Sequence, residues 1–251
     1  MEPSLRPPLW HRGLEAASIV LLLGLVALIL GEVFLAAPGR LAASAVLALF
    51  LVPLPAYVLA DFVSGFVHFL GHRFGDETTP VFGPTYVRPF REHHVDPKAI
   101  TRHDFIETNG LNSVVSIPVA ALAYGLLPLS ESTWGAFAGA FVGSFLLSIF
   151  ATNQIHKWAH QERPPRLVRR LQSWGVILSP ENHEVHHTSP HDTYYCITAG
   201  WLNPLLERVR FFERAEHAIR RAQRSASRLT LVDRDAAWAG SRCRRAIRGV
   251  V

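Results

Sequence analysis

The sequence predicts an all-α integral membrane protein of about four transmembrane helices, with a histidine-rich cap on its cytoplasmic side. Three observations predict it: apolar residues gathered in four long runs, basic residues placed asymmetrically around those runs, and histidines crowded at one end of them. At 251 residues and 49% apolar content, the chain reads as a single domain, because its histidine clusters need one another.

The spans are expected at about 14–37, 41–60, 112–129 and 133–155. The first run is interrupted only by Glu15 and Glu32, and the second holds no charge. Both are long enough for the roughly 20 residues that cross about 30 Å of hydrocarbon. The third is short, and the fourth is uncharged and rich in glycine. Buried helices of a soluble protein would show a polar face. A cleaved signal peptide would be shorter and would start nearer the N-terminus.

Charge then orients the chain. Arg6 and Arg12 precede the first run, Arg40 alone lies in the first turn, and Arg73, Arg88, Arg91, Lys98 and Arg102 lie between the second and third. The "SES" turn has no basic residue, whereas seventeen follow the fourth run. Basic residues stay on the cytoplasmic side, so both termini and the central loop are expected there, in a bacterial cytoplasmic membrane. The net charge of +5 is thereby accounted for by topology and headgroup contact rather than nucleic-acid binding. Cys196 and Cys243 are the two cysteines, which implies no disulfide framework.

Of thirteen histidines, only His11 and His217 fall in the leader and the basic tail, 213–251. The others share the cytoplasmic side. The second run is read as continuing unbroken to residue 72 through "DFVSGFVHFLGH", which puts Asp61, His68 and His72 on one helical face. The fourth runs into "TNQIHKWAH", aligning Asn153, His156 and His160. "EHH" adds His93 and His94, and "HEVHH" adds His183, His186 and His187. These nine imidazoles exceed what one ion needs. A catalytic zinc takes three protein ligands, whereas two oxygen-activating irons use about eight nitrogen or carboxylate ligands.

Three rivals leave too much unused. "HEVHH" also satisfies HExxH, with His183 and His187 as zinc ligands and Glu184 as the base of a metalloprotease, but His68, His72, His156 and His160 then have no role. A metal transporter would place its ligands near the bilayer midplane, and a haem protein would need two axial histidines.

"RPFREHHVDPKAITRHDFIETNG" (88–110), "TNQIHKWAH" (152–160) and "HEVHHTSPHDTYYCITAGWLN" (183–203) resemble the plasmanylethanolamine desaturase family, over Asp61 to about Phe212. The resemblance implies a di-iron, O2-dependent membrane enzyme. It would convert a 1-O-alkyl-2-acyl-glycerophosphoethanolamine to its vinyl-ether plasmalogen, with electrons from an external cytochrome b5-like or ferredoxin-like donor. A di-iron acyl-lipid desaturase or hydroxylase of another phospholipid is the alternative. The chain departs from the family at His72, where an acidic residue is usual and either type can bind iron.

Around the nine first-rank histidines, Asp61, Asp96, His103, Asp104, Glu107, Asn153 and His191 are candidates to orient the ligands. Asp96 and His191, each beside a proline, equally suit turns. Arg88 and Arg91 are candidates for a lipid phosphate, or for any anionic headgroup. "RPPRLVRRLQSWGVIL" (163–178) mixes basic and apolar residues with Trp174, as an interfacial helix over the metal site would.

Overall fold

In the computed structural model, residues 9–80 and 83–225 are described, and among them every regular element is helical. Four helical stretches are long and apolar enough to cross a membrane: Leu9–Arg40, Ala43–Arg73, Phe105–Leu126 and Thr133–His160. At most 39% of each apolar window is buried, so most of these side chains point outward, as in contact with lipid rather than a water-soluble core.

α1, Leu9–Arg40, begins within the leader, where Arg12 pairs with Asp104. The second run is not continuous. α2, Ala43–Leu49, ends before Pro53, and α3 restarts as Pro53–Arg73. Proline has no N–H to continue a helix but costs nothing in a first turn, so the break falls just before it. A short π-helical turn, Gly83–Val87, leads into α4, Arg88–Val95, followed by α5, Ala99–Arg102. α6, Phe105–Leu126, starts seven residues before the expected third span because Asp104 caps it, accepting from Ile106 N and Glu107 N at 3.0 Å each. α7, Thr133–His160, is capped by Ser132 and runs on past Ile155 to carry His156 and His160 out of the bundle.

α1 packs along α6, and α1, α3 and α6 all pack on α7. Leu22, Val26, Ala120 and Leu146 fill one part of the interface, and Ile29, Val33, Leu129 and Ala140 another. Close approach depends on small residues: a Cβ at Gly143 would lie 2.6 Å from Leu30 Cδ2. Beyond the bundle lie α8, Arg166–Ser173; α9, Pro180–His187; and α10, Asn203–Arg208.

The chain divides into two compact units, Met1–Glu207 and Arg208–Val251. In the second, residues 211–225 are helical, and Arg210 bonds to Glu213 at 2.6 and 2.7 Å. The rest of the expected basic tail, 226–251, lies outside the described residues.

Candidate metal centre

α3, α4, α7 and α9 bring the nine first-rank histidines into two groups. His68, His72, His93, His94 and His186 form one, and His93, His156, His160, His183 and His187 the other. Within each, the candidate ligand nitrogens lie within 4.8 Å of one another, and His93 belongs to both. Its ring centroid is 4.4 Å from that of His94 and 5.0 Å from those of His156 and His187.

In the first group His72 Nε2 lies 2.9 Å from both His68 Nε2 and His94 Nε2, and His186 Nε2 lies 3.1 Å from His94 Nε2. In the second, His183 Nε2 is 2.8, 2.9 and 3.1 Å from the Nε2 atoms of His156, His160 and His187. Proton bookkeeping says what such a set needs. His68 Nδ1 donates to Tyr195 O at 3.0 Å, His186 Nδ1 to Thr193 O at 2.7 Å, and His93 Nδ1 to Pro89 O at 3.2 Å. A carbonyl only accepts, so each neutral ring carries its proton on Nδ1 and presents a bare lone pair at Nε2. At His68 and His186 that lone pair faces the Nε2 of a neighbouring imidazole at about 3 Å, where a cation among the rings would be bound by several nitrogens at once. The residues therefore fit one ion per group, of a kind that accepts many nitrogens.

Burial keeps the rings neutral, as ligation requires. His68, His93, His156, His183 and His186 are buried, and the other four are half-buried. Burial, reinforced by neighbouring imidazoles, holds His93 and His183 well below the ordinary histidine range, and His94 at about 2 and His187 at about 3. His186 is lowered by burial to about 3, against a smaller opposing effect of its bond to Thr193.

The supporting residues are placed unevenly. His191 lies at the first group, its Nδ1 3.2 Å from His186 O and 3.3 Å from His94 Nδ1. Asp61 is fully buried, but it meets backbone rather than imidazole: its carboxylate accepts from Ala199 N, Gly200 N and Leu202 N at 2.7, 2.9 and 3.2 Å. It thus holds the segment whose Tyr195 carbonyl orients His68. Asn153 donates to Thr108 O. Asp96 binds Arg102 and Lys98 N, Asp104 caps α6, Glu107 is exposed, and the His103 carbonyl accepts from Lys157. None of these last four carboxylate or histidine side chains bonds to the cluster. Arg88 is exposed, while Arg91 is engaged by Glu77 and Gly75 O. Glu184 is exposed on the outer side of α9, away from the base position that a metalloprotease needs.

Sequence reasoning passed over Ser64 and Asn203. Ser64 Oγ accepts from Ile197 N at 3.1 Å, and Asn203 bonds to both N and O of Cys196 at 2.9 and 3.0 Å. Ser64 was findable, for Asp61, Ser64 and His68 share one face of α3 at i, i+3 and i+7. At Gly65 a Cβ would lie 2.5 Å from Cys196 Sγ, so the close seating of this segment on α3 requires glycine.

A lipid desaturase domain matches residues 57–230. The chain is 53% identical over 163 residues to the plasmanylethanolamine desaturase of Myxococcus xanthus, covering 65% of this chain and 57% of that protein. It is 46% identical over 172 residues to plasmanylethanolamine desaturase 1 of Mus musculus, covering 64% and 61%. With the chloroplastic fatty acid desaturase 4 of Arabidopsis thaliana it shares 35% over 162 residues, covering 64% and 48%. The match thus spans between about half and three-fifths of these relatives' lengths. No solved structure matches.

Proposed function

The chain belongs to the lipid desaturase domain family, and from that premise we propose that it is an O2-dependent di-iron desaturase making plasmalogens. Its substrate is a 1-O-alkyl-2-acyl-glycerophosphoethanolamine and its product the 1-O-alkenyl form. The observation that carries the reading is the pair of imidazole groups joined at His93. Two relatives bearing the plasmanylethanolamine desaturase name support the choice of lipid.

One iron would be held by His68, His72, His94 and His186 and the other by His156, His160, His183 and His187, with His93, whose free nitrogen is Nε2, completing one of the two sites. Bound iron, with O2 and two electrons from a cytochrome b5-like or ferredoxin-like donor, supplies the oxidant that removes two hydrogens from adjacent saturated carbons, chemistry beyond any side chain. O2 leaves as two waters, with two protons taken up. The chain's own residues hold the ligands still. The carbonyls of Tyr195, Thr193 and Pro89 fix ring orientation, Asp61 and Ser64 fix the segment bearing two of those carbonyls, and burial keeps the imidazoles unprotonated. The cap faces the cytoplasm, where a soluble or membrane-anchored donor reaches it. Arg88 is exposed and available to the substrate phosphate.

The likeness to the chloroplastic enzyme favours one second reading, desaturation of an acyl chain on another phospholipid. Lipidomics on a host containing alkyl ether lipids, with and without this chain, separates the two. Acid-labile vinyl ethers are expected only with the chain, and new acyl double bonds without vinyl ethers would establish the second reading.

A further inference from the structure

α8 divides its surface into three. With about 100° per residue, Val168 and Gln172 share one side and are buried, Val168 against Ile155 and Ala159 of α7. Arg166 and Arg170 lie across the helix from them and Arg169 beside them, all exposed, and among the described residues no carboxylate forms an ion pair with any of the three. Two other exposed cations of the cap are matched, Lys98 with Glu162 and Arg102 with Asp96. Between the two sectors runs an apolar edge, Leu167 at 66% exposure and Trp174 at 70%.

That edge continues off the helix onto a membrane span. Tyr57 of α3 donates its hydroxyl to Val176 O at 2.7 Å, and its ring meets Trp201 edge-on at 5.4 Å. Trp201 Nε1 in turn donates to Gly175 O. Just below, Leu202 and the α3 residues Leu54, Val58, Leu59 and Phe62 line an open apolar groove.

We propose that α8 and the Trp174–Val176 turn form a bilayer-docking surface. The helix lies in the plane of the interface, with Leu167 and Trp174 among acyl chains and Arg166, Arg169 and Arg170 on the phosphates of bilayer phospholipids. Charge and continuity choose this occupant. An acidic soluble protein would answer the arginines but leave Leu167 and Trp174 in water, whereas the bond to Tyr57 ties the apolar edge to a helix already surrounded by lipid. Docking also sets depth, because Val168 shares one buried cluster with Ile155 and Ala159, which flank His156 and His160. The inference rests on the chain spanning a membrane and is independent of the reaction catalysed.

The test uses the full chain carrying Cys243→Ser in phosphatidylcholine–phosphatidylglycerol vesicles, with a nitroxide placed through Trp174→Cys or, separately, Arg169→Cys. Cys196 is buried and stays unlabelled. The label at 174 is expected to collide several-fold more with O2 than with a water-soluble nickel chelate, and the label at 169 the reverse. Equal access of the chelate to both positions overturns the proposal. So does an acidic redox protein being required to shield position 174. Spin-labelled phosphatidylglycerol supplies the second measurement. Arg166→Gln, Arg169→Gln and Arg170→Gln together should lower its preference over phosphatidylcholine by up to ~5-fold per charge removed. An unchanged preference overturns the role given to the arginines.

Discussion

His68, His93 and His186 are oriented through Nδ1 by carbonyls of the segments around them, whereas His156, His160, His183 and His187 make their polar side-chain contacts through Nε2 alone, with one another. The two imidazole groups are thus held by different means. The first leans on the 193–203 segment, which is irregular up to Asn203 and is tied down by Asp61, Ser64 and Asn203 itself. The second leans on helix geometry: α7 presents His156 and His160 one turn apart, and α9 does the same for His183 and His187. A site whose ligands come from helices is as rigid as their packing. One whose ligands are aimed by a loop is as rigid as the loop's anchors.

The largest effect is expected where the groups meet. His93→Ala removes the ring packed between the two groups and leaves a void beside ligands of both, so iron content should fall below one ion per chain and turnover should be abolished. His160→Ala, which touches only the helix-held group, should leave the other ion in place. Metal analysis of the two purified variants checks this, and equal iron loss in both would mean that the groups fill as one unit.

Next comes Asp61→Ala, which strands three amide donors in the interior. Each such donor costs about 1–3 kcal/mol, so on the order of 3–9 kcal/mol of stability should go. Iron should leave the first group before the second, because Tyr195 O and Thr193 O lie on the loosened segment. Thermal unfolding and iron stoichiometry measure both. Simultaneous loss from both groups would erase the distinction drawn here. Ser64→Ala should move both readouts the same way by about 1 kcal/mol.

These contrasts mark what the sequence could tell. The spans and the nine histidines were legible because apolar runs and i, i+4 spacing are local. The break before Pro53 was legible too, in the prolines at 53 and 55, but uninterrupted hydrophobicity outweighed them in the reading of one continuous helix. "HDFIE" likewise carried a capping signal, Asp104 followed three residues later by Glu107, which the candidate ligand-orienting role obscured. The anchoring by Asp61 was not legible. Its donors lie 138 to 141 residues away, and no local pattern announces that a buried carboxylate will meet amides instead of an imidazole.

His72 sharpens the first group alone. Its Nε2 lies between those of His68 and His94 at 2.9 Å from each, at the position where a carboxylate is usual in the resembling family. His72→Asp should keep iron and much of the activity. His72→Ala and His72→Leu should lose most of both, since neither offers a ligand atom. Iron content and vinyl-ether yield of the three variants side by side make the comparison. Near wild-type values for His72→Ala would reduce that group to His68, His93, His94 and His186.

The smallest effect belongs to a carboxylate that resembles Asp61 in chemistry and differs from it in place. Asp104 also accepts from backbone amides, but at the exposed start of α6, a span that carries none of the nine histidines. Water replaces its bonds when it is removed. Asp104→Ala should therefore cost about 1 kcal/mol as a lost N-cap, with little added by the exposed pair to Arg12. Iron per chain should stay at the wild-type value. Thermal unfolding and metal analysis, run beside Asp61→Ala, test whether support of the metal centre is confined to residues reaching the 193–203 segment. Iron loss in Asp104→Ala would mean that α6, through its packing on α7, also sets the positions of His156 and His160.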